Sequence, residues 1–171
     1  MIKNICVVTG SRADYGLLKN LMHLIKSDPE MNLQIIVTGS HLSKKHGETF
    51  REIEDDGFKI DYKVEIIDDK INQLTAAQAM GKAQIEISKI LFQSKPNLVL
   101  VLGDRYEILS AVTSALLINI PVAHIHGGEE SQGAFDNSIR HAITKMSHLH
   151  FVATKKSRTR VIQMGEQPEK V

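Results

Sequence analysis

The stretch "IPVAHIHGGEESQGAFDNSIRHAITK", Ile120 to Lys145, gathers His124, His126 and His141 among Glu129, Glu130 and Asp136. Imidazole beside carboxylate suits proton transfer near neutral pH, because histidine titrates there and neighbours can tune a carboxylate toward it. The same residue types suit metal ligation, but the CxxC spacing of familiar zinc sites is absent, and only the local density of ligands argues for a metal. His124-x-His126 on a strand would also point to opposite faces, which weakens a two-histidine chelate. At least one of the two reads as a packed histidine, hydrogen-bonded within the core. Gly127-Gly128 permits a tight turn that brings backbone close to a ligand. Asp136 precedes an apolar stripe of Ile139, Ile143 and Met146 and reads as a helix N-cap.

Three other segments combine glycine with charge or imidazole: "TGSRADYG" (9–16), "TGSHLSKKHG" (38–47) and "GDRYE" (103–107). The first matches neither GxGxxG nor GxxxxGK[ST], so neither a dinucleotide fingerprint nor a P-loop is present. Ser11 with Asp14 three residues on resembles a capping box, while Arg12 beside a helix N-terminus suits a phosphate; both readings stay open. In "GDRYE", Asp104 can cap the next helix with Glu107 closing the box, or Asp104 and Arg105 can face a ligand. "KKSRTR" (155–160) reads as a solvated helix start.

The elements that must position these segments alternate along the chain. Strands are expected at Lys3–Thr9, Leu33–Thr38, Phe58–Ile67, Asn97–Leu102, Pro121–His126 and Leu149–Thr154, several of them apolar throughout. Continuous apolar runs are what parallel strands covered on both faces require. Helical patterns lie between them: "ADYGLLKNLMHLIKS", with Leu17, Leu18, Leu21, Leu24 and Ile25 expected on one face, then "NQLTAAQAMGKAQIEISKILFQS" ending before Pro96, "RYEILSAVTSALLIN" and "SIRHAITKMSH". This order implies an α/β fold, a doubly wound parallel Rossmann-like sheet with right-handed crossovers. Ligands in such sheets bind outside the carboxyl ends of the strands. All four unusual segments fall there, whereas the opposite loops ("SDPEMN", "SKPN", "INIP") are ordinary turns.

The chain has 171 residues, enough for one domain with a sizeable core. With 21 Lys+Arg against 20 Asp+Glu, no strong field favours nucleic acid or an anionic membrane. No apolar run reaches the roughly 18 residues of a membrane span, and the apolar part of "MIKNICVVTG" is too short for a signal peptide. The single cysteine, Cys6, cannot pair within the chain, which agrees with a reducing, cytoplasmic location.

Together, "GSRADYG", "VTGSHL", "LGDRYE" and "HIHGGEESQGAFDNSIRHAITKMSHLHFVAT" resemble the hydrolysing UDP-N-acetylglucosamine 2-epimerases of sialic and legionaminic acid biosynthesis, from Ile2 to about Glu166. "DNSIRHAITK" is the most specific part. The resemblance implies that residues 1–171 are the N-terminal Rossmann-like domain of a GT-B-type two-domain enzyme, with the second domain absent and the fragment inactive alone. It implies a UDP-2-acetamido sugar as substrate, a 2-acetamidoglucal intermediate, a free ManNAc-type sugar and UDP as products, no cofactor and no metal. Self-association as a homodimer or tetramer is expected by the same analogy. Asp104, His126, Glu129 and Asp136 match catalytic positions. Arg12 and Arg105 match groups near the UDP phosphates, and Asp14, His41, His124, Arg140 and His141 complete the expected substrate-binding set. One departure stands out: many members have Glu where this chain has His126, so imidazole does that work or Glu129 takes it over. The His form resembles the branch acting on UDP-2,4-diacetamido-2,4,6-trideoxyglucose. Gly16 stands where the animal enzyme has a Ser near the phosphates. The competing readings are a non-catalytic binding or assembly module and a metal-dependent hydrolase.

Overall fold

A computed structural model describes residues 2–66, 72–131 and 135–171. Six strands form one parallel sheet: β1 (Lys3–Thr9), β2 (Met31–Thr38), β3 (Tyr62–Val64), β4 (Leu98–Leu102), β5 (Val122–Ile125) and β6 (Leu149–Phe151), in the order β3-β2-β1-β4-β5-β6. Val7 at the sheet centre pairs with Ile35 on one side and Leu100 on the other. The order reverses between β1 and β4, which makes the gap beyond those two strand ends the expected ligand crevice.

Each strand's alternating faces meet different helices, so the central strand positions on both faces are mostly apolar. On one face Cys6, Val8, Ile36, Val99 and Val101 pack under α3 (Gln73–Ser94) and α4 (Tyr106–Leu117), whose small residues Ala79, Ala83, Ala111 and Ala115 allow close approach. On the other, Val7, Ile35 and Val37 meet Tyr15, Leu18, Met22 and Ile25 of α1 (Arg12–Ser27) and Ile53 of α2 (Phe50–Asp55). Two helices complete the chain's later part: α5 (Asp136–Met146) and α6 (Lys155–Gln163). No helix among the described residues is long and apolar enough to cross a membrane.

The expected architecture is present, with local corrections. The third strand is three residues long, because Asp61 ties itself to the backbone of Ile35 through both its N–H (3.1 Å) and its carboxylate (2.9 Å), and the ladder starts only after it. Its expected last residue, Ile67, lies outside the described residues. Leu17 and Leu24 are 62% and 68% exposed: the buried face of α1 runs through Asp14, Tyr15, Leu18, Met22 and Ile25 instead. The fifth and sixth strands end earlier than expected, at Ile125 and Phe151, because His126 takes φ +64° and turns the chain away.

Candidate active site

The four unusual segments do lie at one edge of the sheet, and their side chains divide into two groups. At the ends of β1 and β2, two Thr-Gly-Ser turns stand side by side, with the Ser40 hydroxyl donating to Gly10 O at 3.0 Å. Ser11 caps α1 by accepting from the Asp14 N–H at 3.3 Å, as the spacing predicts. Glu107 reaches up between the turns and is fully buried. A Cβ at Gly10 or Gly39 would lie 2.5 Å from its Oε1, so Glu107 would have to shift for either, and at Gly39 (φ +59°) the Gly10 carbonyl at 2.6 Å blocks a side chain as well. Arg105 donates to that oxygen through Nε at 2.5 Å and keeps about a third of its side chain exposed (35%). Asp14 is mostly buried beside Arg105 and Glu107, and burial pushes its carboxyl above the usual range. Arg12 points outward, 72% exposed, and pairs with Glu52 at 3.0 Å.

His41 offers nothing to a ligand from this position. It is completely buried, with its two ring nitrogens 3.1 Å and 2.8 Å from the Thr9 and Thr49 hydroxyls. Burial, with Arg105 nearby, holds its pKa down to about 4. His124 is equally sealed. Its Nε2 lies 2.8 Å from Gly103 O and its Nδ1 3.2 Å from the Thr144 hydroxyl, and burial lowers it to about 4. It is the packed histidine of the His-x-His pair.

The second group sits beyond β4 and β5. Of the two readings open for Asp104, the capping of α4 with Glu107 is not found: the N-cap position falls on Arg105 and makes no side-chain bond. The Asp104 carboxylate turns instead to the Arg140 guanidinium and to the Ser131 hydroxyl, 3.1 Å away. Arg140 is itself 7% exposed; it donates to Ser131 Oγ (2.7 Å) and to His126 O (2.8 Å), and lies 3.9 Å from Glu129. His126 is half-buried, with Nδ1 2.6 Å from Glu129 Oε1. Asp136 was expected as the N-cap of α5, yet Phe135 occupies that position and Asp136 is the first helical residue, where its charge faces the positive end of the helix dipole. Asp104, Arg105, Tyr106, Phe135 and Asp136 line a cavity of about 230 Å³. His141 stands apart on α5, near Arg160 and Glu130, with its pKa lowered first by burial and then by Arg160.

The loop carrying His126 and Glu129 is clipped to α6. Arg160 donates to Gly128 O and pairs with Glu130, and a Cβ on Gly128 would meet Ser157 O at 2.5 Å. Residues 132–134 of the same segment lie outside the described residues. Sequence reasoning overlooked Ser131, gave Glu107 only a capping role and Arg160 only a solvated helix start, and expected Arg140 to face substrate. The available signal was position: Arg140 interrupts the apolar stripe between Ile139 and Ile143, and a charge on a buried stripe needs a partner. Among the described residues no group of three or more His, Cys, Asp or Glu side chains converges as a metal ion would require.

The doubly wound parallel sheet is the Rossmann-like fold of one half of a GT-B-type protein. Residues 23–171 match the family model described as UDP-N-acetylglucosamine 2-epimerase, and the chain belongs to that family. It is 44% identical over 169 residues to a GDP/UDP-N,N'-diacetylbacillosamine 2-epimerase (hydrolyzing) of Campylobacter jejuni, covering 99% of this chain and 44% of that protein. It is 42% identical to the UDP-N,N'-diacetylbacillosamine 2-epimerase (hydrolyzing) of Legionella pneumophila, covering 100% and 45%. The chain thus spans less than half the length of these relatives. The UDP-GlcNAc 2-epimerase of Neisseria meningitidis, crystallised with UDP-GlcNAc, superposes with a TM-score of 0.86 at 20% identity over 98% of this chain and 44% of that one, a likeness of fold.

Proposed function

We propose that residues 1–171 form the N-terminal, sugar-facing domain of a hydrolysing 2-epimerase that converts a UDP-2-acetamido sugar to a free ManNAc-type sugar and UDP, for nonulosonic (sialic or legionaminic) acid biosynthesis. The observation that carries this reading is the single hydrogen-bonded cluster of Asp104, His126 and Glu129, beside the cavity shared with Asp136, in a chain of this family.

The reaction needs a base at C2 while the C1–O bond to UDP breaks, leaving the 2-acetamidoglucal. Water then adds at C1, and a proton returns to C2 on the opposite face. Two acid–base groups on different sides of the sugar meet that need. Asp104 and Asp136 face one cavity and serve one side. His126 serves the other: with Nδ1 held by Glu129, Nε2 is the nitrogen left to give or take a proton. Arg105, exposed at the cavity, and Arg12, at the start of α1, neutralise the departing diphosphate. Two relatives carry names that refer to UDP-N,N'-diacetylbacillosamine, and this supports 2,4-diacetamido-2,4,6-trideoxyglucose rather than N-acetylglucosamine as the sugar of this chain's substrate. The reading extends to a cytoplasmic homodimer or tetramer, which light scattering on the full-length protein checks.

The test is UDP release by the full-length protein from UDP-N-acetylglucosamine and from UDP-2,4-diacetamido-2,4,6-trideoxyglucose. The reading expects kcat/KM at least about 10-fold higher for the diacetamido sugar, since a site built to bond a second amide rejects its absence. Release from neither sugar would leave a non-catalytic sugar-nucleotide module in its place.

A further inference from the structure

We infer that Arg140 is a positioning residue that sets the two sides of the active site relative to each other, rather than a ligand of the substrate. The inference rests on the epimerase reading above and deepens it. Three observations lead to it. First, Arg140 is inaccessible, 7% exposed on the buried side of α5, with Ile143 and Thr144 following on the same side. Second, two of its three guanidinium nitrogens are committed to groups from two different loops, NH2 to the Asp104 carboxylate after β4 and to Ser131 Oγ and NH1 to His126 O after β5, while the buried Nε bonds none of the described residues. Third, those loops hold the groups assigned to opposite sides of the sugar, Asp104 on one and His126 with Glu129 on the other.

A planar guanidinium with five donors can hold a carboxylate, a hydroxyl and a carbonyl in one fixed arrangement, which an ammonium cannot. The carbonyl it holds belongs to His126, a non-glycine residue at φ +64°, a backbone conformation that side-chain-bearing residues adopt only where the surroundings impose it. The His126 N–H donates to Phe151 O at 2.9 Å, so both peptide groups flanking this residue are fixed. Arg140 thereby determines how far the His126 imidazole stands from Asp104. Ser131 completes the frame: its hydroxyl bonds Asp104 and receives from Arg140, while its N–H donates to Asn137 Oδ1 at 2.7 Å on the same helix.

The experiment compares Arg140→Lys, Arg140→Ala and Asp104→Asn with wild type in the full-length protein, measuring kcat and KM for UDP release per folded molecule together with Kd for UDP. A shift of about an ångström in a reacting group costs on the order of 100-fold, so Arg140→Lys should lower kcat by about that factor, with KM and the UDP Kd within about threefold. Arg140→Ala should behave likewise, and added guanidinium ion should restore part of its kcat. The inference is overturned if KM and the UDP Kd rise together while kcat holds, which would make Arg140 a phosphate ligand. It is equally overturned if Arg140→Lys keeps wild-type kcat, or if Arg140→Ala only melts earlier and guanidinium restores nothing. Wild-type protein that releases no UDP, or Asp104→Asn that turns over normally, would instead strike the epimerase reading itself.

Discussion

The two halves of the sheet's carboxyl-end edge carry similar residue types and treat them in opposite ways. Beyond β1 and β2, the inward groups are sealed and not coupled into an open cluster: His41 is bonded at both nitrogens and Glu107 is buried under two glycines, while Arg12 stands exposed in an ion pair with Glu52. Beyond β4 and β5, Asp104, His126 and Glu129 keep 20% to 30% of their side chains open and are linked to one another through Arg140. The contrast is sharpest within three residues of β5 and its turn, where His124 is closed off by Gly103 and Thr144 while His126 stands at the cluster. Proton transfer needs groups that are coupled yet reachable. Residue type alone does not separate the two halves; burial and hydrogen bonding do.

The largest effect should come from the open half. Asp104→Asn keeps the shape but removes the acid–base group, and UDP release by the full-length protein should fall by about 10³-fold or more, toward loss of a general base combined with disturbed alignment. Normal turnover would move the chemistry elsewhere. The sealed half should respond in stability instead. Gly39→Ala places a Cβ 2.5 Å from Glu107 Oε1 and 2.6 Å from Gly10 O at φ +59°. Strain and overpacking together should cost about 3 kcal/mol in urea unfolding, and a loss below about 1 kcal/mol would mean that Glu107 is free to swing away.

Acid should act first on the two sealed histidines, one in each half. His41 and His124 have folded pKa values of about 4, below the ordinary 6.5. The unfolded chain therefore binds protons that the fold refuses, and stability is lost as pH falls from about 6.5 toward 4. Between pH 7 and pH 5 each histidine should remove about 2 kcal/mol. His124→Gln should flatten that slope, and an unchanged slope would show that His124 is not sealed in solution.

Much of this was readable in the chain. Apolar runs separated by amphipathic stretches yielded the parallel sheet, and the four segments that gather glycine, charge and imidazole do fall together at one edge of it. Capping logic succeeded at Ser11, where the hydroxyl has only local partners, and failed at Asp104 and Asp136. Asp104 has a better partner 36 residues away in Arg140, and no local pattern encodes that competition. The exposure of Leu17 and Leu24 escaped a periodicity argument because a wide apolar face on α1 does not say how much of it the sheet covers. Glu107 looked like a capping residue and proved to be the buried post between two Thr-Gly-Ser turns, a role set by chain segments that only the fold brings together.

The smallest effect should be at the exposed pair. Glu52→Gln breaks its contact with Arg12 and should change unfolding free energy by less than about 1 kcal/mol; a larger loss would place structural weight on the sealed half's surface.

The most direct test follows the proton. Run in D₂O, the full-length protein should release a sugar carrying one solvent deuterium at C2, because the open half removes that hydrogen and returns one from the other face. Asp104→Asn should release little sugar at all. A product formed at normal rate with protium still at C2 would contradict the account, since UDP would then leave without any proton transfer at the carbon that Asp104, His126, Glu129 and Asp136 are assigned to serve.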